Sequence, residues 1–279
     1  MSLLKSVMLG ALALSQFTQA YPAPDQGLEA RKLYQVEDAI SGLERRKLFN
    51  VDDISNDDHK KALKTGLKDA VEVASTALDK MDDEKYKSYL SAWFGDDDNH
   101  RDTVRQVYKN FVGSNHNKEG ADVLGNVIVH NDDYHEINGQ KFCSINNNGK
   151  TGTAYYKVKD KKPGMHFCPK FFERKSKDEY IKDKCAGIAQ HINTGSIGRV
   201  FQGANVLHEF MHYSKVGKEA TGTQVADPAY GAYNCYKLKD TDKTQTILNA
   251  DSYVYYAMHI WLTETCGRDF SYPRDEQDN

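Results

Sequence analysis

The sequence predicts an α+β fold that is predominantly helical, with one small antiparallel sheet. Apolar residues recur at three- and four-residue intervals over residues 56–113 and again over 246–266, a spacing that places them on one face of a helix. Between these regions, residues 125–158 contain β-branched runs and an Asn-Gly turn signal. Runs of helix on both sides of a short strand region indicate an α+β domain.

The first helical region contains an acidic interruption. Leu63, Leu67 and Val71 open its apolar series, and a set with similar spacing continues to Phe111. Asp96 to Asn99 break the pattern between helices. We interpret this acidic run as a solvated turn, because the ligand spacing of an EF-hand calcium site is missing.

The strand region predicts a sheet with an accessible edge. Val127 to Val129 and Ala154 to Val158 are the two candidate strands, and Asn146 to Gly149 between them are typical of a hairpin turn. A sheet edge beside a functional helix can bind an extended peptide by strand pairing.

Length and charge limit the classes of partner. The chain has 279 residues, 37 basic and 40 acidic side chains, and a formal net charge of −3. This balance argues against nucleic acid, which requires a basic face. No stretch after residue 20 has the length and apolar character of a membrane helix. We expect a monomer that binds neither nucleic acid nor membrane.

Residues 1–20 predict export. They combine a basic residue, an apolar run too short to span a bilayer and a small-residue cleavage site, which is the pattern of a secretory signal peptide. A retained anchor is the alternative. We expect the protein to be secreted and extracellular.

Residues 21–47 predict a short propeptide. Residues 21–55 hold a tandem repeat with copies at Gly27–Ile40 and Gly42–Ser55, offset by 15 residues, and each copy carries a basic cluster, at Arg31-Lys32 and at residues 45–47. Such clusters after a signal peptide are typical of dibasic processing sites, although a solvated charged helix is the alternative. We expect the mature domain, residues 48–279, to begin near Leu48.

The string His208-Glu209-Phe210-Met211-His212 is the chemical centre of the sequence. On a helix, residues four positions apart share a face, so the two imidazoles can hold one ion. Catalytic zinc takes three protein ligands plus a water, and Glu209 would lie beside that water as its base. The alternative is a solvated helix whose histidines bind no metal.

The third ligand separates the classes of zinc site. A metzincin needs Gly and His where this chain has Lys215 and Lys218, so that class is excluded. Glu264 is the candidate if a later helix supplies the ligand, as in a gluzincin. Asp227, within the string GTQVADPAYG of residues 222–231, is the more specific candidate.

Residues 222–231 resemble the second motif of the aspzincin, or deuterolysin-like, metallopeptidases, which reads G-T-x-D-x-x-Y-G. The chain keeps the Gly-Thr pair and the D-x-x-Y-G string that begins at Asp227. It has three residues between Thr and Asp where the family pattern has one. An Asn-Ala-Asp string that ends at Asp251 is also similar to the family, and the resemblance extends upstream to about residue 60.

The resemblance implies a zincin-like metallopeptidase domain with its small sheet beside the zinc-binding helix. It implies one Zn²⁺ per chain, bound by His208, His212 and Asp227. Glu209 is then the general base, and Tyr230 stabilises the oxyanion.

Two of these residues have structural alternatives. Asp251 is expected to hydrogen-bond a ligand imidazole and fix its tautomer, but an aspartate near a helix start also serves as a cap. Tyr230 is expected to donate to the oxyanion, but it also fits a core aromatic, as many of the 17 tyrosines do.

Five cysteines in a secreted chain imply bridges with one thiol left over. The resemblance favours the pairs Cys143–Cys168 and Cys185–Cys266. Cys235 is then unpaired.

The implied function is a secreted zinc-dependent endopeptidase that hydrolyses protein or peptide substrates through a metal-activated water. The alternative is a secreted effector or zinc-binding protein that binds a partner with little or no proteolysis. The insertion before Asp227 is the hint for this alternative, and Glu209 argues against it because pure binding needs no base. Val254 stands where lysine-specific family members have an acidic group, so strict lysine preference is not expected.

Overall fold

The computed structural model describes residues 49–113, 119–147, 150–193 and 201–274. All of them belong to the second of two units of the chain, Arg46–Asn279. The predicted signal peptide and propeptide, residues 1–47, and the expected first mature residue Leu48 lie outside the described residues. Within those ranges, no helix combines the length and apolar character needed to cross a membrane.

Helices make up most of the described part of the chain, as the sequence predicts. In chain order they are α1 (Asp57–Lys80), α2 (Glu84–Phe94), α3 (Asp98–Val112), α4 (Pro169–Phe172), α5 (Lys177–Tyr180), α6 (Gln202–Met211), α7 (Lys218–Thr221), α8 (Ala232–Thr241) and α9 (Ala250–Cys266). Short 3₁₀ segments lie between them at Asp122–Asn126, Phe142–Ser144, Lys182–Cys185 and Lys243–Leu248. The prediction of a predominantly helical α+β fold is confirmed.

The starts of α1 and α3 follow from side-chain capping. Asn56 accepts a hydrogen bond from the backbone N–H of His59 at 3.0 Å and begins α1. Asp97 accepts one from the N–H of Asn99 at 2.9 Å and begins α3. The acidic interruption predicted between the helices is therefore a helix cap.

Helix α6, which carries the H-E-x-x-H string, packs closely on α1 because two glycines lie at the contact. A Cβ atom on Gly66 of α1 would meet the Val206 side chain at 3.2 Å. A Cβ atom on Gly203 of α6 would meet Cβ of Asp69 at 2.8 Å. Larger residues at either glycine would push α6 away from α1.

Helix α9 is the central helix of the core. It is buried on nearly every face, from Ala250 to Thr263 with the exception of Asp251. It begins at Ala250 rather than at Thr246, where the apolar pattern predicts its start. The reason is long-range: Asn249 has extended backbone dihedrals and pairs with Ala226 in a parallel β-bridge.

The strands form three small sheets. They are β1 (Ile128–Val129), β2 (Glu136–Ile137), β3 (Gln140–Lys141), β4 (Asn146–Asn147), β5 (Lys150–Thr151), β6 (Ala154–Tyr156) and β7 (Gly164–Phe167). The largest sheet has the order β1-β7-β6, with β7 parallel to β1 and antiparallel to β6. The two predicted strands are present, but β7, which the sequence pattern misses, lies between them.

The first half of the predicted hairpin turn at residues 146–149 belongs to a separate ribbon. Asn146–Asn147 form β4, which pairs antiparallel with β5, and residues 148 and 149 lie outside the described ranges. This ribbon is not part of the main sheet, so the prediction that residues 146–149 lie in a hairpin between the two strands of that sheet is wrong.

Residues just after the predicted processing site are part of the fold. Phe49 is buried, and its ring lies 5.5 Å from that of Phe210 on α6. The carbonyl of Asn50 accepts a hydrogen bond from the N–H of Val129 at 2.8 Å. The end of the second repeat copy, at Phe49 and Asn50, therefore packs against α6 and pairs with the sheet.

The predicted disulfides are confirmed. Cys143 bonds to Cys168, and Cys185 bonds to Cys266. Cys235 is a free thiol and is buried.

Candidate functional site

The H-E-x-x-H string lies at the C-terminal end of α6. His208 and Glu209 belong to the helix, and His212 is the residue that follows its last turn, with helical dihedrals. The sequence favours Gly217 as the stop, but the helix ends at Met211. The side-chain amide of Gln224 donates to the carbonyl of His212 and satisfies this helix end.

Three ligand-type side chains converge beside this helix end. His208 Nε2 lies 3.3 Å from His212 Nε2 and 3.3 Å from Asp227 Oδ1. His212 Nε2 lies 3.3 Å from Asp227 Oδ2. Two ligands about 2.0–2.1 Å from one tetrahedral zinc ion are separated by about 3.3 Å. The spacing of the three side chains therefore fits zinc.

The chemistry of the donor set fits a metal as well. Asp227 Oδ1 is buried and accepts no hydrogen bond from any residue in the described part of the chain. A buried carboxylate oxygen without a donor carries a large desolvation cost. A cation held by the carboxylate and the two imidazoles would remove that cost.

The insertion before Asp227 anchors the loop. The N–H of Ala226 donates to the carbonyl of Leu248 at 2.8 Å, and the N–H of Ala250 donates to the carbonyl of Ala226 at 2.9 Å. Both bonds attach the insertion to the start of α9. Ala226, the residue before Asp227, is thus held to the start of α9 by both of its backbone groups.

Hydrogen bonds at Nδ1 set the orientation of both imidazoles. His208 Nδ1 donates to Asp251 Oδ1 at 2.7 Å, and His212 Nδ1 donates to the carbonyl of Val225 at 2.9 Å. Each Nε2 atom therefore faces Asp227 and is the nitrogen that a metal would bind once the imidazole is neutral. Asp251 Oδ2 also accepts from the N–H of Gly231 at 3.0 Å, so Asp251 links the imidazole to the loop of Asp227.

Glu209 lies in the wall between α6 and the sheet. Its side chain is buried, and its carboxylate accepts a hydrogen bond from the backbone N–H of Tyr156 on β6. Burial raises the pKa of Glu209, and the neighbouring His208 and His212 partly offset that increase. A carboxyl with a raised pKa is suited to accept and return a proton near neutral pH.

Tyr230 is a surface residue of the site and does not belong to the core. The residue is 61% exposed, and its hydroxyl donates to Asp227 Oδ2 at 2.8 Å. Burial of the hydroxyl and the charge of Asp227 raise its pKa, so the phenol keeps its proton. The group can therefore act as a hydrogen-bond donor at the rim of the site.

The charges of the site residues strongly shift one another's pKa values. Burial lowers the pKa of His208, but Asp251 and Asp227 outweigh burial and raise the pKa to about 10. Burial opposes ionisation of Asp227, but His212, His208 and Tyr230 outweigh it and lower the pKa of Asp227 to about 2. At neutral pH the site thus holds an ionised carboxylate and protonated imidazole.

Metal binding at pH 7 should therefore release protons. Zinc binds the neutral imidazole, so a proton must leave His208. Asp227 is already ionised and releases none. We expect about one proton per zinc from His208, with an affinity that rises as the pH rises toward about 10. Calorimetric titrations in buffers of different ionisation enthalpy measure this number; a buffer-independent heat would contradict it.

The remaining candidates lie elsewhere. Glu264, the gluzincin alternative, contacts the Tyr86 hydroxyl and Lys80, and it lies about 20 Å along α9 from Asp251. The described residues contain a second group of potential ligands, made of His166 and the cysteines at 143 and 168, but those cysteines form a disulfide. Neither offers a third ligand to the two histidines.

Several groups that support the site have no sequence signal. The carbonyl of Val225, the N–H of Gly231 and the N–H of Tyr156 act through the backbone, where any residue type can serve. Only their position in the fold identifies them.

Comparisons with known proteins identify the family of the chain. No curated protein matches the chain. Among solved structures, a zinc peptidase from Grifola frondosa is similar at 18% identity with a TM-score of 0.46, over 72% of this chain and 95% of that chain. A family model described as "HRXXH: Putative peptidase family" matches residues 3–268. The family name spells arginine in the second place of the motif, where this chain has Glu209. The chain belongs to this HRXXH peptidase family.

Proposed function

We propose that this peptidase is a secreted, zinc-dependent endopeptidase of the aspzincin type that binds one Zn²⁺ per chain. The observation that carries the proposal is the convergence of His208, His212 and Asp227, whose facing atoms are 3.3 Å apart. Two imidazoles and one carboxylate are a common ligand set of catalytic zinc, which keeps one position open for water or substrate.

The chain's own residues supply the proton chemistry. When bound, zinc supplies Lewis acidity and lowers the pKa of water in the site to about 7. Glu209 accepts the proton of the attacking water on its carboxylate and passes it to the leaving amine. Tyr230, which is exposed at the rim, donates its hydroxyl to the oxyanion of the tetrahedral intermediate.

The outer edge of β6 is a feature that favours a polypeptide as the substrate. Two hydrogen bonds flank β6 and join it to β7: the N–H of Cys168 donates to the carbonyl of Thr153, and the N–H of Lys157 donates to the carbonyl of Gly164, both at 2.9 Å. In an antiparallel ladder the alternate residues then point their backbone groups to the other edge. Tyr156 is such a residue, and its N–H contacts Glu209 on that edge. An extended peptide paired there would pass beside the base.

Secretion is supported by the two disulfides, which persist in oxidising compartments. We propose a signal peptide over residues 1–20, a propeptide over 21–47 and a mature domain over 48–279. N-terminal sequencing of the active secreted protein should give a start near Leu48. A start at Tyr21 would exclude the propeptide.

A metal analysis combined with a casein cleavage assay tests the proposed function. The purified mature protein should contain one zinc per chain, lose cleavage when a chelator removes the metal, and recover it when zinc is returned. Cleavage that survives metal removal would contradict the proposal. Full zinc content without cleavage would favour the alternative of a zinc-containing partner-binding protein.

Replacing Tyr230 with Phe should lower kcat by about 10²–10³ when zinc is saturating, because it removes one oxyanion donor and a hydrogen bond to Asp227 but no ligand. Tyr236, which stacks on Tyr272 at a ring distance of 5.3 Å, provides the matched control. Tyr236→Phe should keep wild-type kcat. Equal activity of Tyr230→Phe and wild type would assign Tyr230 no role in turnover.

A further inference from the structure

We infer that Asn249 is a positioning residue that, together with the thiol of Cys235, fixes the loop carrying Asp227 and Tyr230. The inference rests on the proposed function, because it assigns a role toward the metal site. It also gives the unpaired cysteine a role: Cys235 is a hydrogen-bonding partner within the fold.

Three hydrogen bonds form a closed ring under this loop. The N–H of Ala229 donates to Asn249 Oδ1 at 3.1 Å. Asn249 Nδ2 donates to Cys235 Sγ at 3.2 Å, and Cys235 Sγ donates to the carbonyl of Ala229 at 3.5 Å. Both backbone groups of Ala229 are therefore held by the same pair of side chains.

The orientation of the Asn249 amide is determined by its partners. The second hydrogen on Nδ2 bonds to Ser252 Oγ at 2.9 Å, so both donors and the acceptor are engaged. Asn249, Cys235 and Ser252 are all fully buried. No water reaches the ring to replace a lost partner, and a substitution would leave the N–H of Ala229 unsatisfied.

The position of Ala229 makes the ring relevant to the metal. Ala229 lies two residues after Asp227 and one before Tyr230. The two ends of the loop are attached to the start of α9 by Ala226, through the carbonyl of Leu248, and by Gly231, through Asp251. Asn249 holds the middle of the loop between these two attachments. Residues that orient a metal ligand without touching the metal commonly weaken metal binding 10–100-fold when they are removed.

The test measures zinc affinity by chelator competition, the visible spectrum of the cobalt-substituted protein, and Tm. Asn249→Ala in the mature protein should weaken zinc binding about 10–100-fold and change the cobalt spectrum, because the carboxylate of Asp227 is no longer held in place. Val107→Ala, in the buried face of α3, is the control for lost stability. It should lower Tm and leave zinc affinity and the cobalt spectrum as in wild type.

Two matched substitutions at Cys235 provide a test that does not depend on the Asn249 variant. Cys235→Ser keeps a donor and an acceptor, whereas Cys235→Ala keeps neither. We expect Cys235→Ser to retain the wild-type cobalt spectrum and Cys235→Ala to alter it in the same direction as Asn249→Ala.

The outcomes separate the inference from the proposed function. A folded Asn249→Ala protein that binds zinc as wild type does would overturn the positioning role. If Asn249→Ala does not fold, the cobalt spectra of Cys235→Ser and Cys235→Ala decide instead, and identical spectra for these two variants would overturn the positioning role. A wild-type protein that takes up no zinc at all would instead overturn the proposed function.

Discussion

Glu209→Gln should lower kcat by about 10²–10⁴ while the protein keeps its full zinc content. The amide has the size of the carboxylate but cannot accept a proton from water. Glu209 contributes no atom to the group formed by the two imidazoles and Asp227, so the metal should stay bound. KM should change little, because the amide oxygen of glutamine can still accept the hydrogen bond from the N–H of Tyr156 on the β6 edge.

Glu219→Gln is the matched control for this variant. Glu219 lies on α7, exposed and paired with Lys215, and the same substitution there should leave kcat at the wild-type value. Zinc content by atomic spectroscopy and kcat on casein decide the result. Normal cleavage by Glu209→Gln would mean that another group is the base.

Asp227→Ala should weaken zinc binding by more than about 100-fold. Removing a residue that only hydrogen-bonds a metal ligand already weakens binding 10–100-fold, and Asp227 is proposed to bind the metal directly. Turnover should be lost with the metal. The remaining imidazoles would still be oriented by Asp251 and the carbonyl of Val225, so the fold around them should persist.

Asp240→Ala controls for the loss of a carboxylate. Asp240 is exposed near the C-terminal end of α8, where it is ion-paired with Lys237 and Lys239. It should bind zinc as wild type does. Stoichiometric, chelator-resistant zinc in Asp227→Ala would show that the third ligand lies elsewhere.

Features that depend on local sequence were predictable. The apolar spacing indicates the three N-terminal helices and most of α9, and the placing of His208 and His212 four residues apart follows from helix geometry. The disulfide pairs and the carboxylate at Asp227 came from the family resemblance, and the structure brings each of these groups together.

The features that the sequence missed depend on long-range pairing. Strand β7 is four residues long and begins with glycine, so its pattern is too short to stand out. The late start of α9 follows from the bridge between Ala226 and Asn249, which are far apart in the chain. The same bridge explains how an insertion before Asp227 leaves the carboxylate beside the histidines, a result that motif spacing alone argues against.

A crystal structure of the zinc-loaded mature protein, with anomalous data collected on both sides of the zinc absorption edge, tests the central claim most directly. We expect one zinc peak per chain, about 2.0–2.2 Å from His208 Nε2, His212 Nε2 and a carboxylate oxygen of Asp227. A peak bound by the histidines with Asp227 turned away, or a peak at another group of residues, would contradict the account.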